Sequence, residues 1–140
     1  MNFCKTKINR FLRVALFAVF AAALNSGCSE PVNSADRVTL VQARADYEAG
    51  KVMLVDIRET REHKTGVVAG AVLLPMSELG EKISLIPKDT DQPVLLICNT
   101  QNRSQVTLKK LKQAGYENIR FVEGGMSQWA AKGWPLVAPR

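Results

Sequence analysis

From residue 38 onward the chain alternates short continuous apolar runs with longer segments whose apolar residues recur at three- and four-residue spacing. "KVMLVDIR" (51–58), "AVLLP" (71–75), "PVLLIC" (93–98) and "NIRFV" (118–122) have strand length and no polar alternation, the pattern of strands buried on both faces. Between them lie helical patterns. Thr39, with Gln42 three places on, has capping-box spacing for a helix that runs to Gly50. Ser77 is placed to cap "ELGEKISLI", which stops before Pro87. "SQVTLKKLKQAG" ends at Gly115, and "SQWAAKG" is halted by Gly133 and Pro135. "ETREHKTG" (59–66) reads as polar and turn-rich. Strands alternating with helices predict an α/β domain: a mainly parallel sheet of four to five strands covered by helices on both faces.

Composition adds little to that picture until the charge is located. At 140 residues and 46% hydrophobic the chain supports one packed domain. Its net charge of +6 comes largely from Lys5, Lys7, Arg10 and Arg13, unaccompanied by any acid; from Cys28 onward 15 basic residues meet 13 acidic ones, a net of +2. No basic stripe remains for nucleic acid. The basic start leads into "VALFAVFAAAL" and then "NSG" before Cys28, the layout of a secretory signal over residues 1–27, with an apolar run too short to span a bilayer. Gly27–Cys28 resembles a lipoprotein signal, although Asn25 stands where such motifs carry a small or branched apolar residue. The expectation is lipid on Cys28, a polar tether over 28–37, a domain over 38–138, and a periplasmic protein. Ser29 resembles the sorting residue of outer-membrane lipoproteins. Simple secretion to the periplasm is the alternative.

With Cys4 in the signal and Cys28 carrying lipid, Cys98 is the single thiol of the exported domain and cannot form a disulfide within it. Such a thiol is either buried and inert or kept for its reactivity. Position favours reactivity. Cys98 ends a predicted strand, a helix begins a few residues later, and ligands of open α/β sheets bind beyond the carboxyl ends of the strands. Successive backbone N–H groups there can converge on an anion, and the same surroundings favour the nucleophilic thiolate.

"LVDIRE", "GVVAGAVLLP", "CNTQNRS" and "FVEGGMSQWAAKGWPL" resemble, in order and spacing, the signature segments of single-domain rhodaneses, over roughly residues 38–138. The resemblance implies a sulfurtransferase. A cysteine takes sulfane sulfur from a donor such as thiosulfate, holds it as a persulfide, and passes it to cyanide or a thiol. On that resemblance Cys98 forms the persulfide, Asn99, Thr100, Gln101, Asn102 and Ser104 line the donor loop, and Arg103 faces the anionic donor. Asp56 and Arg58 brace the site, and Gly124 with Gly125 makes the turn before the last helix. No cofactor or metal is implied.

Gln101 stands where the family's loop often has glycine; Val67, Leu73 and His63 also depart from common family residues. If glycine serves there because the loop needs a left-handed backbone, Gln101 stores strain of about 1–2 kcal/mol. His63 reads as a solvated helix residue, Trp129 and Trp134 as packing residues, and "KKLK" as the wet face of a helix. Two other functions remain open. One is a non-catalytic rhodanese-like binding or sulfur-carrier module. The other is a phosphatase or arsenate reductase, whose loops place five residues between cysteine and arginine, where Cys98 and Arg103 have four.

Overall fold

A computed structural model describes residues 33–140. The expected signal segment and Cys28 lie outside the described residues. Five strands form one sheet: β1 (Arg37–Val38), β2 (Met53–Asp56), β3 (Val72–Leu73), β4 (Val94–Ile97) and β5 (Ile119–Val122). Their order is β1-β5-β4-β2-β3 and every pair is parallel. The helices are α1 (Leu40–Glu48), α2 (Thr60–His63), α3 (Leu79–Lys82), α4 (Asn102–Gln113) and α5 (Gly125–Ala131).

β4 is central, and its four residues are completely buried, which is why it reads as an uninterrupted apolar run. Alternation splits those side chains between two cores. Val94 and Leu96 point with Cys98 toward Leu108 and Leu111 of α4, while Leu95 and Ile97 pack with Leu40 of α1 and Met126 and Trp129 of α5. On α4, Ser104, Thr107, Leu108 and Leu111 form the buried stripe, and Lys109, Lys110 and Lys112 lie on its exposed face as expected. Trp129 and Trp134 pack edge to face at 4.9 Å, and the Trp129 indole N–H donates to the Pro135 carbonyl at 3.2 Å, a packing role for both.

Three local expectations need correction. Residues 34–37, read as the end of a tether, are already part of the domain: Ser34–Asp36 form a 3-10 turn, and Arg37 joins Val38 in a fifth strand paired with Phe121 and Val122. The helix expected over 78–86 is broken into the 3-10 turn Met76–Glu78, α3, and the 3-10 turn Ile83–Leu85. Across the observed segment the core-facing residues Met76, Leu79, Ile83 and Ile86 are spaced three, four and three apart, and 3-10 winding at both ends aligns the three-apart pairs on the core. Ser77 accordingly caps nothing; its hydroxyl donates to Glu59 Oε2 at 2.7 Å. Thr39 does cap α1, accepting from the Gln42 N–H at 3.3 Å, but the Gln42 side chain turns to Asp46 instead of completing a capping box.

Candidate active site

Cys98 follows the last residue of β4, at the carboxyl edge of the sheet, and is 1% exposed. The loop after it is shaped by α5. The first N–H groups of a helix lack partners within it, and here the Met126 and Ser127 N–H groups donate to the carbonyls of Cys98 and Asn99, both at 2.8 Å. Gly125 makes this approach possible. A Cβ on it would stand 2.4 Å from the carbonyl oxygens of Cys98 and Thr100 and 2.7 Å from that of Asn99. Three carbonyls are thus committed to the α5 side. The backbone N–H groups of residues 99–104, including those of the first turn of α4, have no acceptor among the described residues. A run of unpaired amides at a helix start, beside a thiol, is suited to an anion or an electron-rich sulfur.

Gln101 overturns the expectation of strain. Its φ is −169°, extended backbone open to any residue, so no left-handed conformation is imposed. Its side chain has a role of its own: Oε1 accepts the Gly124 N–H at 2.9 Å. That bond ties the cysteine loop to the 124–125 turn, where Gly124 and Gly125 have φ of 75° and 60°.

Both arginines are engaged by acids. Arg58 clamps Asp56 through Nε and Nη2 at 3.0 and 2.6 Å, and donates to the carbonyls of Gly66 at 2.8 Å and Glu62 at 3.4 Å. Asp56 and Arg58 are 1% and 3% exposed, so the pair is an internal tie between the end of β2 and the α2 segment. Arg103, expected to face a donor, is instead gripped at two points by Glu62: Nη1 to Oε2 and Nη2 to Oε1, both at 2.6 Å. The Arg103 hydrogen bonds hold the Glu62 carboxyl down at about 2, against the opposing effect of burial. The same pairing raises the Arg103 guanidinium, helped less by the Cys98 and Glu59 charges. Glu62 is the site residue that sequence reasoning missed; the acid pair Glu59 and Glu62 flanking a helix turn was its only trace.

His63 is not solvated. It is 3% exposed, with Nε2 3.5 Å from Asp56 Oδ1 and no hydrogen-bond partner, because the single turn of α2 rotates it inward while presenting Glu62 to the loop. Asn99, Thr100 and Asn102 are exposed around the amides, whereas Ser104 is fully buried with its hydroxyl unpartnered. Among the described residues no cluster of His, Cys, Asp and Glu converges as a metal site requires.

The model of the rhodanese-like domain matches residues 39–132. A sulfurtransferase of Allochromatium vinosum is 40% identical over 108 residues, 77% of this chain and 97% of that protein. A thiosulfate sulfurtransferase of Tolumonas auensis is 33% identical over 93 residues, 66% of this chain and 86% of its own length. The crystal structure of a rhodanese-related protein from Thermoplasma volcanium superposes with a TM-score of 0.65 at 30% identity, covering 74% of this chain and 98% of the other. The five-stranded parallel sheet, the cysteine at the end of its central strand and these matches agree: the chain belongs to the rhodanese-like domain family.

Proposed function

We propose that this protein is a sulfurtransferase that carries sulfane sulfur as a persulfide on Cys98. The observation that supports this most is the loop of unpaired amides, residues 99–104, placed directly after that cysteine with its carbonyls turned away. In the first half-reaction the Cys98 thiolate attacks the outer sulfur of thiosulfate or a related donor. The donor's S–S bond breaks and sulfite, or the corresponding thiolate, leaves with the electron pair. In the second half-reaction cyanide or an acceptor thiolate attacks the outer sulfur of the persulfide, and Cys98 leaves as thiolate. The amides stabilise negative charge on the carried sulfur in both halves. A cysteine 1% exposed is shielded from bulk water, so a donor must reach it with its slim terminal sulfur. The four-residue spacing between Cys98 and Arg103 makes a smaller cradle than phosphatase loops have, which favours sulfur over a tetrahedral phosphate. Asp56 and Arg58 hold the strand end in place. The test is turnover of thiosulfate or an alkyl persulfide with cyanide: Cys98→Ser abolishes it, and undiminished turnover in that variant rules the mechanism out.

Residues 1–27 and Cys28 carry the second part of the proposal, export to the periplasm with a lipid on Cys28 in the outer membrane. Labelled fatty acid enters the wild-type chain and not Cys28→Ser. A wild-type chain that never takes up label excludes the lipid, and simple secretion replaces it.

A further inference from the structure

Arg103 is the cationic side chain that opens α4 beside the amide loop, and both of its terminal nitrogens are bound to one carboxylate. Three features make that carboxylate difficult to displace. Glu62 Oε2 also accepts the Glu59 N–H at 2.9 Å. The Glu62 carbonyl is held by the Thr65 hydroxyl at 2.7 Å and by Arg58, which is itself clamped to buried Asp56. Glu59, which flanks the same turn, is fixed through the Ser77 hydroxyl. The pair is therefore presented by a braced turn, and its two 2.6 Å charge-assisted bonds are short and mutually oriented.

A doubly charged donor gains from a free guanidinium beside the thiolate and loses from a carboxylate there; a closed ion pair supplies neither field at full strength. We infer that Glu62 sets donor selectivity: by masking Arg103 it leaves the amides of residues 99–104 as the main anion-binding groups, and so directs Cys98 toward singly charged organic persulfides rather than dianionic thiosulfate. This rests on the sulfur-transfer reading above. With either donor the electron balance is the same: the Cys98 thiolate bonds to the outer sulfur, the donor's S–S bond breaks, and an alkyl thiolate or sulfite departs with the pair. Glu62 touches neither sulfur and acts through Arg103 as a positioning residue.

The experiment compares kcat/KM for thiosulfate and for the persulfide of 2-mercaptoethanol in the full chain, with the ratio of the two as readout. In Glu62→Gln the released guanidinium raises the thiosulfate-to-persulfide ratio about tenfold, mainly through KM for thiosulfate. The same substitution made in an Arg103→Ala background raises the ratio by no more than about threefold, because no cation remains to unmask. An unchanged ratio in folded Glu62→Gln overturns the inference, as does an equal gain in both backgrounds, which would assign the effect to the carboxylate's own repulsion. Wild type supplies an independent check should Glu62→Gln not fold. A masked pair predicts a ratio that changes less than about twofold between low and physiological salt, and a steep fall with salt contradicts it. Failure of the underlying reading looks different: wild type then forms no persulfide with either donor.

Discussion

Gln101 offers the sharpest quantitative test of how the loop is built. Had the loop imposed a left-handed backbone at this position, Gln101→Gly would relieve strain and leave stability nearly unchanged. At φ −169° there is no such strain to relieve, and the side chain supplies the acceptor for the Gly124 N–H at 2.9 Å. Gly124 is buried, so removing that acceptor strands an amide at a cost of about 1–2 kcal/mol. Gln101→Ala and Gln101→Met should both lose this amount, although Met keeps the volume, because what is lost is the acceptor. Gln101→Gly should lose about 0.4–1 kcal/mol more, from the added freedom of the unfolded chain. For a domain of this size, Ala and Met then lower Tm by about 4–8 °C and Gly by several degrees more. Urea melts give the energies, and hydrogen exchange locates them: protection of the Gly124 amide falls first and furthest. Gln101→Gly that matches or exceeds wild-type stability refutes this reasoning. A Met variant as stable as wild type refutes the hydrogen-bond assignment alone.

Other expectations follow from the same geometry. Gly125→Ala puts a methyl 2.4 Å from two loop carbonyls at a φ of 60°, so it should cost more than about 3 kcal/mol or displace the loop, seen as a large fall in persulfide formation even where a folded protein is recovered. Asp56→Asn leaves Arg58 buried without its counter-charge and should destabilise by about 3–5 kcal/mol in denaturant melts. The Glu62 carboxyl falls from an ordinary 4.5 to about 2 in the folded protein, so its stabilisation is complete above about pH 5 and is lost as pH falls through 2. The stability gap between wild type and Glu62→Gln should therefore shrink by about 1–3 kcal/mol between pH 6 and pH 2, and a gap that is constant with pH would contradict the pairing.

What was legible in the sequence follows from how far each signal reaches along the chain. Strands buried on both faces announce themselves as apolar runs, so "PVLLIC" identified β4 and, with the helix after it, placed Cys98 at the carboxyl edge. The amphipathic stripe of α4 was equally plain. β1 was not, because two residues at a sheet edge have no periodicity to detect. One-turn α2 was hidden in "ETREHKTG" for a similar reason, and with it the inward turn of His63 and the outward reach of Glu62. The two side-chain contacts that tie the cysteine loop to its surroundings, Glu62 on Arg103 and Gln101 on Gly124, join residues 41 and 23 positions apart. No local pattern specifies which acid an arginine meets, or which amide a glutamine caps; the folded sheet decides both.

The central claim is that Cys98 carries sulfur, and the intact mass of the protein tests it most directly. After incubation with thiosulfate or an alkyl persulfide and removal of the donor, the wild-type domain should gain the mass of one sulfur atom, mapped by peptide analysis to Cys98 and discharged by cyanide. Cys98→Ser should gain nothing. A folded wild type that takes up no sulfur from either donor, or that takes it up equally without the Cys98 thiol, would contradict the account and leave a rhodanese-like module that binds without transferring.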